Sequence, residues 1–267
     1  MLFWLVYPLL GALAGVLAGL LGIGGGLVLV GALAWWLPRQ GVPAEAAMHA
    51  ALASSLASIV LTAAASARGH ARRASVAWPT VAWMAPGVLL GGWLGSRLAI
   101  ALDDRVLRIA VAAYCVLVAL QLLRPGRRPE GDPALSPRGP GYSLAGVGIG
   151  AVSAVVGIGG GSLTVPLLVA RGAAPVRAVG TSSAVGVWVA LGSALGYALQ
   201  APAGALPLPG AVGYVYLPAA VGVALASVLA APYGVRLAHA LSGLALKRVF
   251  ALFLLLVGAG FAWSAWR

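Results

Sequence analysis

Two identical glycine-rich motifs contain the residues of this chain best suited to hold a ligand. The sequence Gly-Ile-Gly-Gly-Gly occurs at Gly22–Gly26 and again at Gly157–Gly161. Each glycine costs a helix about 1 kcal/mol relative to alanine, so three in succession favour a break. A broken helix presents unpaired N–H groups and the positive end of its dipole, and both attract anions. We therefore predict an anion site that uses six of these glycines: Gly24, Gly25, Gly26, Gly159, Gly160 and Gly161.

Hydroxyl side chains recur at matching positions downstream of the two motifs. Ser54 and Ser55 lie in one half of the chain, and Thr181 and Ser182 lie in the other. A hydroxyl donates a hydrogen bond to an oxyanion without adding a charge that would hold it too tightly. We expect these four hydroxyls to complete the binding shell, with Ser162 and Thr164 as secondary candidates. A structural role, in which the hydroxyls bond to a neighbouring helix or to their own helix, is the alternative.

The glycine motifs also admit a packing interpretation, because small residues let two helices approach closely. Two other glycine series have the four-residue spacing that is typical of such packing: Gly11, Gly15 and Gly19, and Gly87, Gly91 and Gly95. For these two series we predict helix packing alone. For the motifs we favour a ligand role, because packing rarely requires three glycines in succession.

Acidic residues are absent from the middle of every apolar run. The five acids lie at predicted helix ends or in the central linker: Glu45, Asp103, Asp104, Glu130 and Asp132. Carriers coupled to protons or cations usually keep carboxylates inside the membrane. The chain also lacks metal-site Cys/His spacing, a phosphate-binding loop and hydrolase motifs. We therefore predict an anion path, with no metal, no cofactor and no enzymatic activity.

The composition places these residues in a membrane, since 61% of the 267 residues are hydrophobic and only 8% are charged. A soluble domain has about 25% charged residues. Eight apolar runs are long enough to cross a bilayer, which needs about 20 residues: 3–35, 44–67, 78–101, 104–123, 142–170, 176–199, 211–235 and 243–266. The first and fifth runs contain the glycine motifs and are too long for one simple crossing, so they must tilt, protrude or break. The sequence predicts an all-α integral membrane protein of about eight transmembrane helices.

The repeated motif indicates that the chain arose by duplication. We predict a first repeat at residues 1–123, a linker rich in arginine and proline at 124–141, and a second repeat at 142–267. Four helices per repeat would make the repeats parallel, whereas a re-entrant glycine segment could invert them. The sequence leaves that choice open.

The net charge of +12 comes from arginines in short loops, which is typical of membrane topology signals and argues against nucleic-acid binding. Arg68, Arg72 and Arg73 lie after the second predicted helix, on the same side as the arginine-rich linker. We expect that side, and both termini, to face the cytoplasm.

Taken with their context, these motifs resemble the TauE/SafE family of sulfite and organosulfonate exporters. The resemblance rests on the two glycine motifs, Val165-Pro166 after the second, the segment 178–182, and His70 in the loop after the second helix. Gly31 departs from the family, which has proline there. The resemblance implies a permease of the bacterial inner membrane for small sulfur-containing anions.

We predict an exporter of a sulfite-class or sulfonate-class oxyanion, with a site between the two repeats. The expected partners are the anionic substrate and the lipid bilayer. Two alternatives stay open: a permease for another solute, such as a metal cation or a neutral thiol, and a membrane assembly factor that transports nothing. The missing carboxylates and the single cysteine argue against the metal.

Overall fold

The computed structural model describes residues 2–21, 25–123, 132, 134–240 and 243–266, and the described chain is almost entirely helical. Its helices are α1 (Leu2–Leu21), α2 (Gly26–Trp36), α3 (Ala47–Ala71), α4 (Trp78–Ile100), α5 (Asp104–Leu123), α6 (Pro140–Val156), α7 (Gly161–Ala170), α8 (Pro175–Leu199), α9 (Leu217–Ala240) and α10 (Gly243–Ala265). Two 3-10 turns, Leu37–Gln40 and Ala44–Ala46, join α2 to α3. A hairpin of β1 (Ala211–Val212) and β2 (Val215–Tyr216) precedes α9, with Ala211 opposite Tyr216.

Proline marks the start of four helices. Pro79, Pro140, Pro175 and Pro218 each occupy the first or second position of α4, α6, α8 and α9, respectively. The first N–H groups of a helix have no internal partner, so a residue without an N–H loses nothing there. Pro175, for example, is the first residue of α8. Pro43 likewise stands directly before the turn that leads into α3.

Three of the described helical segments are long and apolar enough to cross a membrane: Ala44–Ala71, Asp104–Leu123 and Pro175–Leu199. Large apolar side chains also cover much of the outer surface; Leu117, Leu229 and Leu256 are 65%, 74% and 65% exposed. Water would disfavour such a surface, whereas lipid chains solvate it. The fold is that of an all-α membrane protein.

The main helix pairs join the two halves of the chain. α1 lies along α9, α6 lies along α4, α5 lies along α10, and α3 lies along α8. Each pair takes one helix from before the central linker and one from after it. The halves therefore interlock in one bundle.

Five of the six glycines in the two series pack helices, as predicted, and the surroundings of Gly19 lie outside what the structure describes. A β-carbon at Gly11 or Gly15 would collide with the backbone of Val223 or Ser227 on α9. On α4, β-carbons at the three glycines would meet the α6 backbone at Ser143, Val147 and Ala151. Glycine at these positions therefore lets the backbones of each helix pair come into direct contact.

The structure corrects one predicted helix. The apolar run 211–235 begins with the hairpin, and α9 starts only at Leu217. The N–H groups of this segment bond elsewhere: Tyr214 N–H donates to Tyr197 O at 3.2 Å, and Leu217 N–H donates to Gly210 O at 3.2 Å. Bonds of this kind replace the helical pattern even though the residues are apolar.

A second correction concerns His70, which the resemblance placed in a loop. His70 lies in the last turn of α3, and the chain leaves the helix only after Ala71. The helical hydrogen-bond pattern of α3 continues to Arg72, whose N–H donates to Arg68 O at 3.1 Å.

Candidate functional site

The second glycine motif lies between two helices, α6 and α7. α6 ends at Val156, where Gly157 takes a left-handed conformation (φ 78°) and its N–H donates to Ser153 O at 2.8 Å. Gly160, directly before α7, is also left-handed (φ 73°). A β-carbon there would lie 3.2 Å from Ile149 Cγ2 and 3.3 Å from Ser153 Oγ. Both the backbone conformation and the available space therefore call for glycine at 160.

The start of α7 offers donors to a ligand. The N–H groups of Leu163 and Thr164 both donate to Gly160 O, at 3.1 and 2.9 Å. Those of Gly161 and Ser162 have no acceptor among the described residues. Unpaired donors in the first turn, together with the helix dipole, make this end electropositive.

Only part of the first motif can be compared, because Gly22, Ile23 and Gly24 lie outside the described residues. Gly25 directly precedes α2 with an ordinary backbone conformation (φ −72°), unlike Gly160. A β-carbon on Gly25 would approach Ala14 O of α1 to 2.6 Å. The two motifs thus share a sequence and differ in local geometry.

The structure brings the two motifs together around Ser55. A β-carbon on Gly26 would lie 2.7 Å from Gly157 O, so the two backbones are nearly in contact. The Ser55 hydroxyl lies 3.3 Å from Gly26 O and 3.2 Å from Gly157 O, close enough to donate to either carbonyl. Ser55 on α3 thereby connects a residue of one motif to a residue of the other.

Gly159 lies where α3 faces α8. A β-carbon on Gly159 would be 3.0 Å from Ile59 Cγ2 of α3. From the other side, a β-carbon on Gly186 of α8 would be 2.8 Å from Gly159 O. The second motif is therefore held between one helix from each half of the chain.

Ser54 and Thr181 hold the starts of two other helices. Ser54 Oγ accepts the N–H of Tyr216 at 3.0 Å, directly before α9. Thr181 Oγ1 accepts the N–H of Ala77 at 2.9 Å, directly before α4. The two bonds are equivalent across the halves, and neither involves a glycine motif. Each hydroxyl still has its own proton to donate, so a ligand role for this pair stays a prediction.

Ser182 is buried on α8, with 4% of its surface exposed. No hydrogen bond joins its hydroxyl to another described residue. Ser162, one of the secondary candidates, lies 2.5 Å from the Tyr114 hydroxyl on α5. Ser162 Oγ is therefore less available to a ligand than its backbone N–H.

Acidic groups lie at the helix starts and connections of the described chain, as predicted. Asp104 begins α5, where it accepts the N–H of Met48 at 2.8 Å and pairs with Arg108 at 2.5 Å. Asp132 lies in the linker, and its backbone bonds to Gly172 and Ala174. Glu130 lies outside the described residues.

One hydroxyl near the second motif is missing from the sequence predictions. Ser153 lies in the last turn of α6 and is fully buried, and its Oγ has no partner in the described structure. Thr164, predicted only as a secondary candidate, is also fully buried, with an unpartnered Oγ1. The available signal was a serine four residues before the motif, in the otherwise apolar stretch 144–156.

Comparison with known proteins matches this chain to one family and to two described relatives. The family model described as "Sulfite exporter TauE/SafE" matches residues 7–261. A "Probable membrane transporter protein" from Haemophilus influenzae is 34% identical over 256 residues, which is 96% of each chain. A protein of the same description from Xylella fastidiosa is 31% identical over 183 residues, which is 64% of this chain and 65% of the relative. No solved structure matches the chain.

Proposed function

Because the chain belongs to the sulfite exporter TauE/SafE family, we propose that it is a permease that exports a small sulfur-containing oxyanion of the sulfite or sulfonate class. It works in the bacterial inner membrane. The relative from Haemophilus influenzae, which aligns with 96% of this chain, is described as a probable membrane transporter protein, and this description supports a transport role.

The architecture that we propose has eight membrane segments in two homologous repeats. α1 with α2, and α6 with α7, each form one segment that is broken at its glycine motif. The other six helices provide the remaining segments. Interlocking contacts between the halves support a site at their interface, where broken helices of transporters commonly bind substrate.

The observation that carries this proposal is the meeting of the two motifs at Ser55, 3.3 Å from Gly26 O and 3.2 Å from Gly157 O. Interior backbone that leaves the helical pattern is tolerated in a membrane where protein surrounds it or a hydrated cavity lies beside it. Donors at the start of α7 would bind the oxyanion, and Ser54, Thr181 and Ser182 would complete its shell. An inside-negative potential favours anion export by about 2.3 kcal/mol per charge per 100 mV.

The direct test is flux of ³⁵S-labelled sulfite from proteoliposomes that contain the purified full chain. We expect efflux above that of protein-free liposomes, accelerated by an inside-negative potential set with valinomycin and potassium. Unlabelled thiosulfate and sulfoacetate added with the label establish which sulfur anions compete.

Two outcomes would overturn the proposal. Flux of a divalent cation or a neutral thiol, without sulfite flux, would establish a permease for another solute. No flux of any of these solutes by folded protein would favour the assembly factor.

A further inference from the structure

We propose that, of the two glycine motifs, only the second contributes to the oxyanion subsite, and that Ser153 and Thr164 are further side-chain donors to it. This inference rests on the proposed function and specifies its site. The ligand class is a small, singly or doubly charged oxyanion, bound by hydroxyl and backbone N–H groups.

Both hydroxyls lack the partner that buried serine and threonine ordinarily have. Within helices these side chains usually bond back to a carbonyl one turn earlier. Ser193 on α8 does so, with Oγ 2.8 Å from Val189 O. Ser153 and Thr164 are 0% exposed, yet neither hydroxyl has a partner in the described chain. A buried polar group without any partner is costly, so a bound molecule must satisfy these two hydroxyls.

Ser153 faces the break between α6 and α7, and Thr164 follows that break in the first turn of α7. Ser153 Oγ lies 3.3 Å from the position that a β-carbon on Gly160 would occupy. The Cα–Cβ bond of a helical residue tilts toward the N-terminus of its helix, so the Cβ of Thr164 tilts toward the same break. The N–H groups of Gly161 and Ser162 at this break are unpaired within the described structure.

The first motif lacks these donors in its sequence. When the two motifs are aligned, Ser153 corresponds to Ala18 and Thr164 corresponds to Leu29. The sequence therefore has hydroxyl residues flanking the second motif and apolar residues at the corresponding positions of the first. One polar subsite, and not two, follows from that difference.

The absence of charged side chains around the second motif suits a ligand that the protein must release. Residues 149–164 include no charged side chain. Neutral donors and a helix dipole attract an anion less strongly than a buried arginine would. Binding is therefore weak enough for release, as a permease requires.

The test measures binding of ³⁵S-sulfite to the purified full chain in detergent, for the wild type, Ser153→Ala, Thr164→Val and the double variant. We expect about tenfold weaker binding in each single variant and a larger loss in the double variant. Without ligand, the variants should unfold at or above the wild-type temperature, because the replaced hydroxyls have no partner to lose. A merely structural role for these hydroxyls would lower that temperature.

Two controls accompany these variants. Ser193→Ala removes an equally buried hydroxyl that is already bonded to its own helix, and it should leave sulfite affinity unchanged. Thr164→Ser keeps the hydroxyl and should keep the affinity.

Each outcome separates this inference from the proposed function. Wild-type affinity in the double variant would overturn the subsite, while the permease proposal would stand; the hydroxyls would then bond to a structural water only. Loss of binding in the variants, with no sulfite flux by the wild type, would support the subsite and overturn transport. No binding of sulfite, thiosulfate or sulfoacetate by the wild type would overturn the subsite outright.

Discussion

At the scale of single residues, Ser55 is the group on which the meeting of the two motifs depends. Its hydroxyl is fully buried and within reach of one carbonyl from each motif, Gly26 O and Gly157 O. Ser55→Ala removes the donor and leaves both carbonyls buried. We expect the free energy of unfolding to fall by about 1–2 kcal/mol, measured by thermal unfolding in detergent.

Ser58→Ala is the matched control for Ser55→Ala. Ser58 is on the same helix and equally buried, but its hydroxyl donates to Ser55 O, 2.7 Å away, within α3. Ser58→Ala should lower the free energy of unfolding by much less than Ser55→Ala does. Equal effects of the two substitutions would show that Ser55 does not join the motifs.

Residue types alone predicted a shared role for Ser54, Ser55, Thr181 and Ser182, but the structure gives them different surroundings. Ser54 and Thr181 accept N–H groups at the starts of α9 and α4. Tyr216, the partner of Ser54, is 162 residues away along the chain. Gly157, one of the two partners of Ser55, is 102 residues away. Sequence spacing identifies the hydroxyls, whereas only the packing determines what each one contacts.

At the scale of helices, the glycines of α4 set how closely α6 can approach. A β-carbon at Gly91 would overlap the backbone of Val147, so Gly91→Val must push the two helices apart. We expect this substitution to lower the stability by about 3 kcal/mol, or to prevent folding, as overpacking does. Thermal unfolding and the yield of monodisperse protein in detergent measure the effect.

Gly148→Val on α6 provides the comparison for Gly91→Val. A β-carbon at Gly148 has no atom within 4 Å, so the same change there should be tolerated. Equal stability of the two variants would contradict close packing of α4 on α6.

The helix pattern was largely predictable, because apolar runs and helix-starting prolines act locally. The hairpin before α9 was not, since its residues are as apolar as those of a helix. Tyr216 N–H bonds to Ser54 Oγ on α3, and Tyr214 N–H bonds to Tyr197 O on α8. Partners so distant in sequence leave no periodic signal in residues 211–216.

At the scale of the whole molecule, the repeated motif and the packing of the helices give different information. The repeated motif predicted two related halves, and the main helix pairs all cross between those halves. Sequence similarity indicates that two segments are related, but it does not specify whether they pack within or between repeats. The different backbone conformations of Gly25 and Gly160 could not be predicted from the sequence either, because the two identical motifs lie in different surroundings.

If an oxyanion passes the break at the second glycine motif, its flux should be most sensitive to substitution of Gly160. Gly160→Ala places a β-carbon beside Ser153 Oγ and Ile149, on a backbone with φ 73° that costs a non-glycine residue about 1–2 kcal/mol. Gly148→Ala makes the same chemical change on α6 in open space.

The measurement is ³⁵S-sulfite efflux from proteoliposomes for the wild type and these two variants, each verified as folded by size-exclusion chromatography. We expect equal flux in the wild type and Gly148→Ala, and at least about tenfold slower flux in Gly160→Ala, because strain and lost space at the break weaken substrate passage. Wild-type flux in folded Gly160→Ala would show that the substrate does not pass this break.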